Sequence, residues 1–337
     1  MQRVYITLNG DDKIAIYNLD PTSGNLTHQE DVEVIGGPAP FGVSPDGRHA
    51  YSGLRTAKSM ISFAIDESTG TLTRTGEVDL ESDPCYVSVD ATGRYLLSAY
   101  YSAGHIAVHP IDSTGALGDL ATVWNGTRPK AHCAHTDPSN SFTFLPHVGE
   151  SNVIYQYRFD ADSGSLTPND PPVVEASEGD GPRHYAYHPH ASYVYFDNEQ
   201  GCSVTAYSFD PDTGTLSPLQ TVSTLPDGWS GDNSCAQLHM TPSGDFLYAT
   251  NRGHNSIAMF AVDPASGRLT ALGQQATVGT PRAFGIDPTG KYMLVGGLDD
   301  GDLATYRIDD ASGHLTHITT QPVGDQPMWI HITDPVD

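Results

Sequence analysis

The chain has 337 residues, of which 41 are acidic and 16 are basic, and its formal net charge is −25. A charge of this sign and size argues against binding to the phosphate backbone of nucleic acids or to an anionic membrane surface. The 34 glycines, 24 prolines and 17 tyrosines are typical of a turn-rich β protein, so no helical domain is predicted.

The N-terminal stretch MQRVYITLNGDDK lacks a basic region followed by an apolar one, and no run is long enough to span a bilayer. We therefore expect a cytoplasmic protein. The four cysteines are far apart and show no CxxC spacing, so neither a disulfide framework nor a structural zinc site is predicted.

Two turn signals recur along the chain. The first, of the type SPDGR, is found six times, beginning at Ser44, Val89, Thr136, Tyr187, Met240 and Ile286. The second, D-x-x-S/T-G-x-L or a close variant, is found seven times, ending at Leu26, Leu72, Leu117, Leu166, Leu216, Leu269 and Leu315. Residues 230–270 contain one complete copy, with four short apolar runs separated by these turns, which is typical of one blade of a β-propeller.

The missing first turn lies at the C-terminus, in MWIHITDP, which resembles the start of the other copies but has no following strand. Conversely, VYITLNG at Val4 has no preceding strand. The final strand should therefore supply the inner strand of the first blade and remove the free sheet edges. The prediction is an all-β, seven-bladed β-propeller of four-stranded antiparallel blades, with residues 1–337 forming a single domain.

Antiparallel pairing predicts that the starts of the inner strands and the ends of the second strands meet at one mouth of the central channel. Stepping back six residues from each turn proline gives a first ring: Ala39, Cys85, His132, Arg183, Ala236, Arg282 and Trp329. The ends of the second strands give a second ring: Asn9, Arg55, Tyr101, Val148, Glu199, Arg252 and Leu298. Functional sites collect on such connections.

The two rings place four arginines around one opening of a strongly acidic protein, namely Arg55, Arg183, Arg252 and Arg282. Guanidinium groups bind phosphate or carboxylate bidentately, so an anionic small ligand is predicted. Each residue also has a structural interpretation: an arginine at a strand end is usually salt-bridged, and Tyr101 and Trp329 could simply fill the channel.

The other histidines are weaker candidates. His188 and His190 fall in a turn on the opposite face and are expected at the surface, whereas His147, His239 and His254 are expected near the mouth. No HExxH motif is present, so no metal and no other cofactor are predicted.

The motifs GPRHYAYHP with YVYFDNE, FLYATNRGHNSIAMF, TPRAFGIDPTGKY and VGDQPMW resemble those of the seven-bladed propeller lactonase family, and the resemblance extends over essentially the whole chain. It implies that His132, Arg183, Glu199 and Arg252 are catalytic. With the ring argument, Arg55, Tyr101, His239, Arg282 and Trp329 are expected to bind substrate. Two departures lie beside the mouth: Gln237-Leu238-His239, where relatives often carry an acidic residue, an aliphatic residue and Arg, and the insertion at residues 226–234.

The leading hypothesis is a lactonase that hydrolyses a sugar-acid lactone, with 6-phosphogluconolactone the substrate that the resemblance implies. His132 or Glu199 would act as general base, and Arg183 or Arg252 would stabilise the oxyanion. Two alternatives remain open. One is a carboxymuconate-type cycloisomerase that uses the same pocket, and the other is a non-enzymatic propeller that serves as an interaction module. The expected partner is a small anionic lactone, with no nucleic acid and no membrane.

Overall fold

The computed structural model describes residues 1–125 and 128–333, and within these ranges the chain forms 27 β-strands and a single short 3₁₀ helix, Gly149–Ser151. The strands form seven antiparallel sheets, the blades of a propeller. Blades 1 to 3 contain β1 (Gln2–Leu8), β2 (Lys13–Leu19) and β3 (Leu26–Glu33); β4 (Pro38–Val43), β5 (His49–Leu54), β6 (Ser59–Ile65) and β7 (Leu72–Asp79); and β8 (Pro84–Val89), β9 (Tyr95–Tyr100), β10 (His105–Pro110) and β11 (Thr122–Asn125).

Blades 4 to 7 follow in chain order, and the final strand returns to blade 1. They contain β12 (Phe142–His147), β13 (Val153–Asp160) and β14 (Ser165–Glu175); β15 (Pro182–Tyr187), β16 (Tyr193–Asn198), β17 (Ser203–Asp210) and β18 (Thr215–Ser223); β19 (Ser234–Met240), β20 (Phe246–Arg252), β21 (Ser256–Val262) and β22 (Leu269–Ala276); and β23 (Pro281–Ile286), β24 (Tyr292–Gly297), β25 (Asp302–Ile308) and β26 (Leu315–Pro322), with β27 (Pro327–Ile332) last.

Ring closure follows the prediction. Strand β27 pairs antiparallel with β1, with Val4 opposite Ile332 and Thr7 opposite Trp329, so the sheet order of blade 1 is β27-β1-β2-β3. The last two residues of the predicted stretch MWIHITDP, Asp334 and Pro335, lie outside the described residues. The two ends of the described chain thus complete one sheet.

Blade 4 departs from the predicted four-stranded form, because it has three strands and its inner segment is held to β12 only by isolated bridges. The phenol oxygen of Tyr185 from blade 5 lies between the two backbones. It accepts from the amide of His135 at 2.8 Å, and its single proton is within donating distance of the carbonyls of His135, at 2.6 Å, and Phe144, at 3.1 Å. Pro146 of β12, moreover, has no N–H to donate. A side chain therefore replaces part of the ladder, and the prediction of a regular inner strand here is wrong.

The recurring turns are stabilised by their own aspartates. Oδ1 of Asp287 accepts from the amides of Lys291 at 2.7 Å and Tyr292 at 2.6 Å, which fixes the turn between inner and second strands. In the outer turn, Gly267 has φ +67°, a left-handed conformation that glycine adopts without strain, and its amide donates to the carbonyl of Asp263 at 2.7 Å. These local contacts explain why both turn signals repeat.

The core consists of apolar clusters between neighbouring blades, such as Tyr248 and Met259 of blade 6 packed with Met293 and Val295 of blade 7. Tyrosines of the second strands also donate to a glycine carbonyl in the outer turn of the next blade. These pairs are Tyr5 with Gly70, Tyr51 with Gly115, Tyr195 with Gly267 and Tyr248 with Gly313, at 2.8 to 3.1 Å. These tyrosines therefore link four of the blades to the blade that follows. The links help to fix the inner strands around the channel.

Candidate active site

The two predicted rings do converge at one mouth of the channel. A cavity there is lined by six of the seven residues of the first ring and by Arg55 of the second, together with four residues outside the two rings, of which only Gln237 was expected beside the mouth. The lining is Ala39, Cys85, His132, Arg183, Arg282, Trp329 and Arg55, joined by Pro40, His184, Gln237 and Met328. Its volume is only about 10 Å³, so it holds a single water-sized group, and a larger ligand must lie outside it at the mouth.

Three of these four residues, Pro40, His184 and Gln237, line the cavity for a common structural reason. Where blades 2, 5 and 6 begin their inner strands, two residues oppose one residue of the second strand, which is a β-bulge. In blade 5, Arg183 and His184 together oppose Asp197. The bulge breaks the alternation of a regular strand, so that both residues line the channel instead of one. Sequence reasoning that assumes strict alternation finds Arg183 and overlooks His184.

Arg183, Glu199 and Arg252 form a linked ionic group. Nε of Arg183 donates to Oε2 of Glu199 at 2.7 Å, and Nη2 of Arg252 lies 3.3 Å from the same oxygen. The Arg183 side chain is 2% exposed. Burial opposes ionisation of Glu199, but the charges of Arg183 and Arg252 outweigh it and hold the pKa of this carboxyl below its usual value. Glu199 is therefore a carboxylate shared by two guanidinium groups.

Arg282 adds a third guanidinium group, and no salt bridge to it is formed by any residue of the described ranges. Burial, and then the charges of Arg183 and Arg252, lower the pKa of Arg282 to about 9. Arg55 differs, because its Nη2 is paired with Oδ2 of Asp83 at 2.8 Å. The predicted cluster of four arginines is thus reduced to two that share Glu199 and one, Arg282, that forms no salt bridge within the described ranges.

His132 lies at the bottom of this group and is 4% exposed. Burial, followed by the charge of Arg183, holds the pKa of His132 well below its usual value, so the imidazole is neutral at pH 7. Its Nδ1 is buried without a hydrogen-bond partner in the described structure, as is Nη1 of Arg183. The ring of Tyr101 packs edge-on against the His132 imidazole, with 5.9 Å between centroids. The two side chains that carry these unpaired groups, His132 and Arg183, both line the mouth cavity.

Asp197 is a further buried acid that sequence reasoning missed. It lies opposite the bulge, and its Oδ1 accepts from the amide of His184 at 2.6 Å. Burial raises the pKa of Asp197 to about 7, although Arg183 opposes this. The sequence does contain a signal for Asp197, because this charged residue directly follows Phe196 in an otherwise apolar strand and lies two positions before Glu199. We assign it to holding the bulge that positions Arg183 and His184.

The predictions for His239 and His188 need correction. His239 does not line the mouth cavity but a second cavity farther along the channel, because it lies past the bulge of β19. His188 was expected at the surface but is 4% exposed, since it packs beneath the turn of blade 5. His147 is fully buried and its Nδ1 is 2.9 Å from the carbonyl of Pro129, whereas Nδ1 of His254 is 2.7 Å from the Ser256 hydroxyl.

The insertion at residues 226–234 lies beside the mouth, as expected. Oδ1 of Asn233 accepts from the amide of His254 at 3.0 Å, next to Arg252. Trp229 is 41% exposed and packs edge-on against His254, with 4.5 Å between ring centroids. The insertion therefore places an exposed aromatic ring beside the mouth.

Within the described ranges, no group of three or more His, Cys, Asp or Glu side chains is arranged to hold a metal ion. A search of the same residues finds no helix with the length and apolar character required to cross a membrane.

Comparisons with known proteins agree with this architecture. The family model described as "Lactonase, 7-bladed beta-propeller" matches residues 4–332. A 6-phosphogluconolactonase from Pectobacterium atrosepticum is 33% identical over 332 residues, which cover 98% of each chain. One from Yersinia pestis is 32% identical over 339 residues, again covering 98% of both chains. A solved periplasmic gluconolactonase from Pseudomonas aeruginosa has a TM-score of 0.92 at 26% identity, covering 100% of this chain and 99% of its own.

Proposed function

Because this chain belongs to the seven-bladed β-propeller lactonase family, we propose that it hydrolyses a sugar-acid lactone that carries an anionic group, with 6-phosphogluconolactone the leading candidate. The relatives that bear this name cover nearly the whole chain, which supports a lactone hydrolase, a carboxylic-ester hydrolase. The choice of an anionic substrate depends on the site itself.

One observation carries that choice. Arg183 and Arg252 share one carboxylate, Glu199, and Arg282 forms no salt bridge in the described structure, so the mouth retains excess positive charge in a protein whose net charge is −25. Burial, and then the charges of Arg183 and Arg252, lower the pKa of Arg282, and a phosphate or carboxylate of the substrate would offset that repulsion. Arg282, which has no acidic partner in the described structure, is the residue we assign to that contact.

His132 is the better candidate for general base. Nδ1 of the neutral His132 imidazole has no hydrogen-bond partner in the described structure, whereas Oε2 of Glu199 is held by two arginines and Oε1 accepts from Gln200. The cavity that His132 and Arg183 help to line has a volume of about 10 Å³, which is close to that needed by one water molecule. We propose that His132 takes a proton from this water as its oxygen attacks the lactone carbonyl. Glu199 would orient Arg183.

Arg183 is the proposed oxyanion donor, since its Nη1 is buried and otherwise unpartnered. As the tetrahedral intermediate collapses, the bond between the carbonyl carbon and the ring oxygen breaks. The protonated His132 then returns its proton to the leaving alkoxide, which opens the ring to the free acid. Loss of one such oxyanion donor typically costs about 3 kcal/mol of transition-state stabilisation.

The test compares hydrolysis of 6-phosphogluconolactone with that of unphosphorylated glucono-δ-lactone, by continuous titration of the released acid at pH 7. We expect His132→Gln to lower kcat about 10²–10⁴-fold for both substrates. Arg282→Gln should raise KM for the phosphorylated lactone and leave the neutral lactone nearly unaffected.

Arg128→Gln is the matched control and should leave hydrolysis of both lactones unchanged, because Arg128 pairs with the exposed Glu175 and does not line the mouth cavity. If His132→Gln and Arg183→Gln both retain full hydrolysis, the site assignment is wrong. If no lactone is turned over by the unmodified protein, the interaction-module hypothesis takes its place.

A cytoplasmic location, a single domain over residues 1–337, independence from metals and the lack of nucleic-acid or membrane partners remain parts of this proposal. Cell fractionation addresses the location directly, since the solved Pseudomonas aeruginosa gluconolactonase is described as periplasmic. Activity that survives treatment with a chelator would support metal independence.

A further inference from the structure

A second cavity lies in the channel on the other side of the candidate active site. Its lining includes the turn residues Pro189 and Pro242, so it faces the opposite side of the disc from the arginines. Its volume is about 380 Å³, within the usual range for small-molecule sites. It is therefore a pocket of ligand size on a face that the lactonase proposal does not use.

An aromatic partition separates the two cavities. His184 and Trp329 line both of them, and their ring centroids are 6.1 Å apart. Tyr86 packs edge-on against each, at 5.2 Å from His184 and 5.3 Å from Trp329. A ligand in the second cavity would contact this partition without reaching the arginine cluster.

The wall of the second cavity consists of rings and apolar groups. His135, Tyr187 and His239 join the partition, and Leu238 and Met240 complete the surface. Among the described lining residues there is no Asp, Glu, Lys or Arg. Burial lowers the pKa of His135 and lowers that of His239 to about 4, so these imidazoles are uncharged at pH 7.

We propose that this second cavity is a binding site for an uncharged aromatic compound. Aromatic rings pack favourably against the edges and faces of other rings, which this wall supplies on several sides. An anion would lose its hydration and find no counter-charge. A sugar would lose the hydration of several hydroxyl groups against a wall of rings and apolar groups, so it is disfavoured as well.

The probes for the test are 4-methylphenol, benzoate and methyl β-D-glucopyranoside, each titrated into the full-length protein at pH 7 and followed by ligand-observed NMR. We expect 4-methylphenol to bind with a dissociation constant of about 1 mM or lower. Benzoate should bind the cavity at least tenfold more weakly, and the glucoside should not bind. Titrations are repeated with Arg183→Gln, because benzoate could also bind the arginine cluster.

Two variants locate the site. Met240→Trp adds a ring to the half-buried wall of the second cavity and should abolish binding of 4-methylphenol. Arg183→Gln is the control, because Arg183 lines the mouth cavity and not the second one, and it should bind 4-methylphenol as tightly as the unmodified protein.

The proposal is overturned if 4-methylphenol does not bind, if it binds equally to the Met240→Trp variant, or if the glucoside binds better. None of these outcomes depends on lactone hydrolysis, so failure here leaves the proposed function standing. Conversely, if the protein binds 4-methylphenol but hydrolyses no lactone, the proposed function fails and the second-cavity proposal stands.

Discussion

Glu199 should be as important for stability as for the site, because it is the carboxylate that lies between two buried guanidinium groups. Glu199→Gln keeps the side-chain shape and an acceptor for Nε of Arg183, but it removes the negative charge that Arg183 and Arg252 share. Removing one partner of a buried ion pair typically costs about 3–5 kcal/mol. Since the Glu199 side chain is 16% exposed, we expect a loss of about 3 kcal/mol.

This loss should be measurable as a fall in melting temperature. An unfolding entropy of about 2.1 cal/mol/K per residue gives about 0.7 kcal/mol/K for 337 residues. A loss of about 3 kcal/mol then lowers Tm by about 4 °C, which calorimetry resolves. Inorganic phosphate should raise the Tm of the variant more than that of the unmodified protein, since the freed arginines bind it more tightly.

The effect should also depend on pH. The folded-state pKa of Glu199 is lowered, so its contribution is fully present above the unfolded value of about 4.3 and is lost as the pH falls through the folded value. The difference between the two proteins should therefore be full at pH 7 and shrink in acid.

The control is Glu175→Gln. Glu175 pairs with Arg128 at 2.8 Å, but the side chains are 59% and 39% exposed, and such surface pairs contribute under about 1 kcal/mol. A Glu199→Gln loss no larger than that of Glu175→Gln, with no extra stabilisation by phosphate, would refute the shared-carboxylate interpretation.

Three further outcomes are expected. Because burial keeps His132 neutral, kcat/KM should show no loss attributable to imidazole protonation as the pH falls from 7.5 to 6, and a titration centred near 6.5 would contradict this. Tyr248→Phe should lower the unfolding free energy in urea by about 1–2 kcal/mol, since it leaves the Gly313 carbonyl of the next blade unpaired; an unchanged midpoint would contradict the inter-blade link. Gly267→Ala should destabilise the outer turn, because a Cβ at φ +67° would lie 2.4 Å from the Tyr193 ring, whereas Gly228→Ala, with a similar φ but open space, should cost less in the same unfolding assay.

The repeat spacing was sufficient to predict the seven blades, the closing strand and most of the mouth, because turn residues depend on local backbone conformation. The same reasoning placed His132, Arg183 and Arg282 correctly in one cavity. It could not place His184 or His239, since the bulges that shift them depend on pairing with the next strand. Their roles, and those of the other site residues, stay predictions.

Longer-range effects were also beyond the sequence. The regular inner strand of blade 4 is interrupted by Tyr185, a residue of the neighbouring blade. Arg55 does not join the unpaired arginines because its guanidinium lies 2.8 Å from the carboxylate of Asp83. The sequence did not predict this pair. Contacts between blades are tertiary, and no local pattern in either segment indicates them.

The pairing of β27 with β1 also affects how the protein is made. Val4 pairs with Ile332, so at roughly 5–20 residues per second a ribosome needs about 16–66 s between these two positions. During that time β1 has an unpaired edge on which other strands can add, a known hazard for nascent β proteins. Trp329 arrives on the same late strand, so no nascent chain has a complete mouth cavity before β27 has been synthesised.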